Sequence, residues 1–247
     1  MKRLLSSLVI VAAIICGATS AVAADGQWEE ASSSDIEGRK LTVYTRSKEG
    51  SDVKETRGNG SFAAAPWIIK NVIDDVANYK SFMPYTKESS VLKTGDGFII
   101  SYQQLDTPVV ENRDYTIKII DESSEDAAGK IVWKNRWTTS NNSGPAPKSG
   151  VTRVQVNEGY WQLEDGKDGG TKVTYYVYTN PGGGLPTFVV NMANTTAVGE
   201  LFKAVAKQSK DPRYAKTKPT PRTSAKKAPE PTPATISAPA GTTGATK

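Results

Sequence analysis

The 247-residue chain has 31 Lys and Arg residues against 26 Asp and Glu residues, no His and a single Cys. Without His it cannot form a His-dependent hydrolase triad or an imidazole-bound metal site, and one Cys cannot form an intramolecular disulfide. Carboxylate, Lys and Tyr chemistry stay possible, whereas no metal site and no cofactor are expected.

The first 23 residues have the pattern of a secretory signal peptide. Lys2 and Arg3 make a positively charged start, residues 4–15 are apolar but too short for an ordinary membrane span, and small residues precede Ala23. Cleavage after Ala23 would also remove the only Cys, Cys16. The pattern predicts an exported protein, located in a periplasm or secreted.

Residues 215–247 are rich in Pro, Ala, Thr and Lys, and Ile236 is their only large aliphatic residue. They cannot bury a core, so they are predicted to form a disordered tail. Without this tail and the signal peptide, 23 basic and 25 acidic residues remain. Nucleic acid requires a basic patch on the folded part, so no nucleic-acid partner is expected. Residues 25–214 are predicted to form one domain.

The predicted elements indicate an α+β fold. Residues 27–37 are predicted to form a short helix with Trp28 as its anchor, and Pro66 opens a helix in which Trp67 and Val72 fall on one face. Strands are predicted at 40–47, 52–64, 88–93, 97–105, 113–121, 130–139, 151–163 and 171–179, with a second helical piece at 77–85, a turn at 180–186 and a long helix at 187–209. Mostly antiparallel strands followed by one long helix are typical of this class.

The strand at 113–121 begins with an Arg-Asp pair. Side chains alternate across a strand, so Arg113 and Tyr115 share the apolar face and Asp114 lies on the polar one. A guanidinium on the apolar face needs a partner, because burying an unpaired charge is costly. Arg113 is interpreted either as a cavity group that binds a ligand's hydroxyl, carboxylate or phosphate, or as part of an ion pair with Glu111 or Asp106. Tyr115, on the same face, is a candidate for the lining of the same cavity.

Two further sets of residues are candidates for the lining of a cavity. Trp133, Asn135 and Trp137 lie on one face of their strand and form either an aromatic wall with an amide or ordinary core. Met192 and Thr196 belong to a stretch of small residues in the last helix. They line a tunnel in one interpretation, and in the other the small residues allow close packing on the sheet.

Two other motifs are interpreted as structural. Asp74 and Asp75 are neighbours on a helix and point about 100° apart, so a solvated face is predicted there and not a catalytic dyad. In 151–163 the apolar alternation shifts, and Gly159 is placed where a β-bulge would absorb the shift.

Six segments in succession resemble a START domain, the lipid-transfer module related to steroidogenic acute regulatory protein. These are "VYTRSKEGSDVKETRGNGSF", "APWIIKNVIDDVANYKSFMPYTKESSVL", "PVVENRDYTIK", "VTRVQVNEGYWQLE", "TKVTYYVYTNPGGGLPTFVVN" and the closing helix. The resemblance covers residues 28–209. It implies a helix-grip fold, in which a curved antiparallel sheet wraps around a long C-terminal helix and encloses a hydrophobic tunnel for one lipid. It implies no required catalytic residue.

The chain departs from the family at two places. Asn180 stands where many relatives have Asp before the Pro-Gly-Gly turn. In the family's animal cholesterol binders the cavity arginine faces an acidic residue on the preceding strand, and the nearest positions here are Tyr102 and Gln103. Tyr102 is therefore placed beside Arg113 in the expected cavity, and its lack of a carboxylate argues against cholesterol itself.

The expected function is lipid binding and transport by an exported monomer, with transient contact to a membrane surface and no enzymatic activity. One alternative is an aromatase or cyclase of the wider helix-grip superfamily. It would have to move protons with Arg, Tyr or a carboxylate. A second alternative is an envelope interaction protein that acts through its basic tail.

Overall fold

The computed structural model describes residues 26–106 and 111–224. These residues form two α-helices, several 3₁₀ turns and twelve strands. The helices are α1 (Pro66–Asp74) and α2 (Thr187–Gln208). The strands are β1 (Glu29–Ile36), β2 (Arg39–Lys48), β3 (Ser51–Phe62), β4 (Thr86–Gly95), β5 (Phe98–Leu105), β6 (Asn112–Asp121), β7 (Ser124–Glu125), β8 (Ile131–Thr139), β9 (Val151–Arg153), β10 (Val156–Asp165), β11 (Thr171–Asn180) and β12 (Thr223–Ser224).

Nine of these strands form a continuous antiparallel path in the order β1-β2-β3-β11-β10-β8-β6-β5-β4. The short strand β9 pairs in parallel with β6, and β12 pairs in parallel with β7. Both helices pack on the concave face of the sheet, α1 against β8, β10 and β11, and α2 against β1, β2 and β3. The predicted α+β helix-grip fold is confirmed.

Two glycines of β3 determine how closely α2 approaches the sheet. A Cβ atom at Gly58 would lie 2.8 Å from Val198 Cγ1, and one at Gly60 would lie 3.0 Å from the Phe202 ring. Val198 and Phe202 therefore fill the space that side chains at these positions would occupy. This packing fixes which side of α2 faces the sheet.

The structure differs from the predicted elements at the N-terminal end. The helix predicted at 27–37 is wrong, because β1 lies there, paired with β2 at the edge of the sheet. Only Ile36 of this strand is buried, so the segment lacks the apolar stripe that a packed helix needs.

The strand predicted at 151–163 is also interrupted, but not at Gly159. The break between β9 and β10 falls at residues 154–155. Gly159 lies inside β10, where a Cβ atom would come 2.5 Å from the Trp137 ring. The glycine therefore makes room for an indole and does not form a bulge.

The prediction of a disordered tail is wrong for its first residues. Asn71 Nδ2 donates hydrogen bonds to the carbonyl oxygens of Tyr214 and Thr217, and Arg222 pairs with Asp96 at 2.7 Å. Residues 215–224 thus continue the domain, while 225–247 lie outside the described residues, as does the predicted signal peptide. Within the described ranges, no helix is long and apolar enough to cross a membrane.

Candidate functional site

Arg113 lies at the start of β6 on the concave face, and its side chain is only 4% exposed. Its Nη1 donates a hydrogen bond to the main-chain oxygen of Glu111. Gly183, in the loop before α2, covers the guanidinium so closely that a Cβ atom there would lie 3.0 Å from Nη2. The buried Nε has no hydrogen-bond partner among the described residues. Arg113 thus retains a buried donor that the described part of the chain does not use.

Asp114 faces the opposite, convex side of the sheet, where it is completely buried. Arg153 holds it through two hydrogen bonds, from Nε at 2.6 Å and from Nη2 at 3.0 Å. The Tyr102 hydroxyl donates a third at 3.1 Å. The two residues of the Arg-Asp pair therefore have different roles. Asp114 binds Arg153 on the convex face and so anchors the segment around it, while Arg113 points to the concave face.

The placement of Tyr102 in the cavity is wrong. Tyr102 is directly opposite Thr116 in the β5–β6 ladder, so it shares the convex face with Thr116 and Asp114. Gln103, the next residue, takes the concave side and accepts a hydrogen bond from the Tyr115 hydroxyl at 2.9 Å. The register between the two strands decides this, because a shift of one residue moves a side chain to the other face.

Trp133, Asn135 and Trp137 lie together on the concave face of β8, and all three are buried. The Trp137 indole nitrogen donates to Asn157 Oδ1 at 2.9 Å, and Asn135 Nδ2 donates to Asp74 Oδ1 at 2.7 Å. Asn135 Oδ1 has no partner among the described residues. The Asn135 amide nitrogen is therefore bound to the fold, whereas no residue of the described ranges bonds to the amide oxygen.

Asp74 belongs to a charged cluster between α1 and the sheet. Its Oδ2 atom lies 2.5 Å from Lys70 Nζ, and the same ammonium lies 3.3 Å from Asp121. The Lys70 side chain is only 3% exposed, but the Asp74 side chain is 34% exposed, so the predicted solvated face is correct only for part of Asp74. Asp75 points elsewhere and accepts a 2.6 Å hydrogen bond from the Tyr214 hydroxyl. The two carboxylates do not form a dyad.

Met192 and Thr196 do not face the sheet. Met192 is 63% exposed, and Thr196 is also exposed. The buried face of α2 contains instead Val190, Val198, Phe202 and Val205. The tunnel-lining interpretation of these two residues is wrong, because the β3 glycines admit Val198 and Phe202 and so rotate Met192 and Thr196 away.

Three tyrosines that pack against the same hydrophobic core, Tyr79, Tyr115 and Tyr175, were not predicted as a group. Tyr115 on β6 donates to Gln103, and Tyr79, in the 3₁₀ turn Val76–Ser81, donates to the Ile73 carbonyl at 2.5 Å. Burial raises the pKa of Tyr115 to about 12. Burial raises the pKa of Tyr175 on β11, and a negative charge on an ionised Tyr115 would raise it further. Burial also raises the pKa of Tyr79, with Asp74, Tyr115 and Tyr175 adding to it. All three phenols are protonated at neutral pH.

Only part of this group could have been found in the sequence. Tyr115 follows Arg113 in the apolar row of its strand and was predicted as a site residue. Tyr175 alternates with Val173 and Val177, a pattern that places it on the same face as these core residues. Tyr79 has no such signal, since its position depends on how the 3₁₀ turn docks on the sheet.

The chain is similar to known proteins over most of the described domain. The model of the family described as "Polyketide cyclase / dehydrase and lipid transport" matches residues 71–206. An uncharacterised protein of Pseudomonas aeruginosa is 29% identical over 192 residues, which cover 77% of this chain and 90% of that protein. The phosphatidylcholine transfer protein of Rattus norvegicus is 26% identical over 176 residues, covering 70% of this chain and 80% of that one.

A solved structure agrees with these similarities. The STAR-related lipid transfer protein of Xanthomonas axonopodis superposes with a TM-score of 0.65 at 28% sequence identity. The superposition covers 74% of this chain and 99% of that fragment. The two structures therefore share their fold over nearly the whole of that fragment.

Proposed function

Because the chain belongs to the family of polyketide cyclases, dehydrases and lipid transport proteins, we propose that it binds one lipid or other hydrophobic small molecule between its sheet and α2 and carries it across an aqueous compartment. The chain is a START-domain protein, and binding of hydrophobic ligands and lipid transport are functions of this family. Phosphatidylcholine transfer proteins are among its relatives, which supports a lipid as the cargo.

Incompletely covered apolar side chains on the concave face are the observation that carries this proposal. Tyr115, Ile119, Ile131 and Tyr175 pack against fully buried core residues, yet each keeps accessible surface. Protein interiors are normally close-packed, so apolar surface left open beside a core offers room for a ligand. Covering it with an apolar ligand stabilises the complex by about 25 cal/mol per Å².

Arg113 is our candidate for the residue that holds a polar end of the ligand. Its Nε is a buried donor without a partner among the described residues, and a guanidinium binds phosphate, carboxylate or hydroxyl oxygens. A ligand oxygen at Nε would remove the cost of leaving a buried charged donor unpaired. Asn135, whose Oδ1 has no partner among the described residues, is a second candidate for the same purpose.

A bound ligand requires a way in, and the start of α2 is the segment we expect to move. Gly182, Gly183 and Gly184 all have positive φ angles, so the loop before α2 depends on glycine. Phe188, in the first turn of α2, is 72% exposed. Movement of this end would open the concave face while Val198 and Phe202 keep the far end docked.

Native mass spectrometry of the mature protein, purified from its own host, tests the proposal. The expected result is one lipid per chain, identified by extraction, and its loss or weakening in Arg113→Ala. Arg136→Ala is the matched control, because Arg136 also lies on the sheet but pairs with Glu122 on the other face. The control should retain the lipid.

Two results would count against parts of this proposal. An empty protein that takes up no lipid from mixed vesicles would refute the carrier function. A protein that keeps its lipid equally well in Arg113→Ala and in the control would refute the role of Arg113 alone.

We also propose that the protein is exported and works in a periplasm or outside the cell, as a monomer in transient contact with membranes. The signal-peptide pattern of residues 1–23 supports export. A fusion of residues 1–30 to a reporter that is active only after export tests the export, and an inactive reporter contradicts it.

Removal of residues 225–247 tests the alternative that the protein acts through its basic tail. If that alternative is correct, lipid uptake should survive the removal while the cellular location changes.

An enzymatic function is the second candidate, because the family's description also names cyclases and dehydrases. Such an enzyme would use neutral phenols or Arg113 to move protons, since the chain has no His. Incubation with a linear polyketide distinguishes the two functions. Cyclised product formed at many turnovers per chain would contradict the carrier proposal, whereas binding without conversion supports it.

A further inference from the structure

Residues 215–224, which we call the strap, follow α2 and cross the end of the sheet opposite to Arg113. Arg113 lies near the start of β6, whereas the strap binds just beyond the end of that strand. There the main-chain nitrogens of Arg222 and Thr223 donate to the Ser123 carbonyl at 2.9 and 3.2 Å. The ten residues of β6 separate the two positions by about 30 Å.

The start of the strap is fastened to α1. Asn71 Nδ2, on α1, donates hydrogen bonds to the main-chain oxygens of Tyr214 and Thr217, each at 2.8 Å. The Tyr214 ring is buried, and its hydroxyl donates to Asp75 at 2.6 Å. The strap is therefore held at this point by enclosed side chains as well as by its main chain.

The far end of the strap is held more weakly. Arg222 pairs with Asp96 in the turn between β4 and β5 at 2.7 Å, but the two side chains are 39% and 89% exposed. The strand pairing that follows, β12 with β7, is only two residues long. An exposed ion pair contributes little and is screened by salt, so this end can detach while the start stays bound.

The strap covers a recess that reaches towards the concave face. Thr217 and Pro219 line one side of the recess, and Asp74 and Asp75 of α1 line the other. Asp74 Oδ1 also accepts a hydrogen bond from Asn135 on the concave face, at 2.7 Å. One side chain, Asp74, thus separates the recess under the strap from the interior of the proposed lipid site.

The position of Asp74 depends on α1 staying against the sheet. Its Oδ2 lies 2.5 Å from Lys70 Nζ, which also lies 3.3 Å from Asp121 at the end of β6. Because Lys70 is buried and needs its partners, this cluster stays intact only while α1 is in place. The strap is bound to Asn71 of the same helix and, through Arg222, to the sheet, so it holds α1 there.

We infer that the strap is a releasable fastening that keeps this end of the lipid site closed. Detachment of residues 218–224 frees α1 to move outward with Asp74, which opens a second entrance to the concave face beside Asn135. The inference rests on the proposed function. It concerns the end of the domain opposite to the glycine loop before α2.

Three variants of the full mature chain test this role. Arg222→Ala removes the exposed ion pair of the strap. The double variant Arg222→Asp with Asp96→Arg exchanges the two charges and should restore the pair. Lys203→Ala is the matched control, because it also removes an exposed ion pair, that with Glu200 at 2.9 Å, but one that lies within α2.

Release of bound lipid is the main measurement. Each protein is loaded from vesicles of a total lipid extract of its host and mixed with an excess of vesicles of deuterated dioleoylphosphatidylcholine. The host lipid that remains bound is then measured by mass spectrometry over time. Because the acceptor vesicles carry no net charge, loss of a positive charge from the protein does not change its attraction to them. Hydrogen exchange of the α1 amides provides a second measurement.

We expect Arg222→Ala to release lipid about two- to fivefold faster than the wild-type protein and the control, the range that an exposed ion pair supports. Its α1 amides should exchange faster by a similar factor, and the charge exchange should restore slow release. Raising NaCl from about 0.05 to about 0.5 M should speed release from the wild-type protein but not from Arg222→Ala. A merely structural contact would leave that salt dependence unchanged.

Failure of the inference and failure of the proposed function give different results. Release from Arg222→Ala that is no faster than from the control, or a charge exchange that restores nothing, would overturn the inference while lipid carriage stands. A wild-type protein that takes up no lipid from the host extract would overturn the proposed function, and the role of the strap in lipid exchange with it.

Discussion

Replacement of Asp114 by Asn should destabilise the domain strongly, because Asp114 is the only charged partner seen for the buried Arg153 within the described residues. The Asp114 side chain is 0% exposed and the Arg153 side chain 10% exposed. Breaking a buried ion pair by removing one charge costs about 3–5 kcal/mol, since the other charge stays buried without compensation. Asn retains a neutral acceptor and Arg153 keeps a little solvent contact, so we expect the lower end, about 3 kcal/mol.

Urea unfolding followed by tryptophan fluorescence measures this loss. In a domain of this size, 3 kcal/mol corresponds to a decrease in Tm of about 6–12 °C. Glu122→Gln is the control, because Glu122 pairs with Arg136 at 2.5 Å and Lys134 at 3.0 Å but remains 30% exposed. An exposed pair of this kind contributes about 0–1 kcal/mol.

The result that would refute this reasoning is a loss in Asp114→Asn as small as that of the control. Arg153 would then be adequately solvated without its partner, and the segment it anchors would not depend on the ion pair. Lipid uptake offers a second check. Because Asp114 faces away from the proposed lipid site, uptake well below the Tm should match that of the wild-type protein.

Packing and pH provide two further predictions. Gly58→Ala should lower the free energy of unfolding by about 1–3 kcal/mol, because the new Cβ would lie 2.8 Å from Val198. Gly199→Ala, in the interior of α2, should instead raise the free energy of unfolding by about 0.5–1 kcal/mol, because a new Cβ there lies in open space. Urea unfolding measures both changes. A free energy of unfolding that changed in the same direction in both variants would contradict the packing described. Burial opposes the ionisation of Glu55, but hydrogen bonds led by that from Arg46 lower its pKa below the ordinary value of 4.5. Glu55 therefore stabilises the fold above pH 4.5 and loses this effect as the pH falls through its lowered pKa, so Tm measured from pH 6 to pH 3 should decline less steeply in Glu55→Gln than in the wild-type protein.

Much of the fold was predictable because alternation and helical spacing are local properties. Pro66 and the apolar positions after it predicted α1, and the Pro-Gly turn before 187 predicted the start of α2. The inward direction of Arg113 followed from the row it shares with Tyr115 and Ile117. The first strand was missed because Glu29–Ile36 is almost entirely exposed, and pairing with β2 rather than its own pattern holds it extended.

The sequence by itself determined the order of the elements, the division of each strand into two rows of side chains, and the absence of His and Cys chemistry from the domain. Only the tertiary structure decided which row of one strand faces which row of the next, and so placed Tyr102 with Asp114 and away from Arg113. It also decided the rotation of α2, which turned Met192 outward. The physical reason is that strand register and helix docking depend on contacts between residues far apart in the chain. The packing of Tyr79, Tyr115 and Tyr175, drawn from three separate elements, against one hydrophobic core is a further product of such contacts.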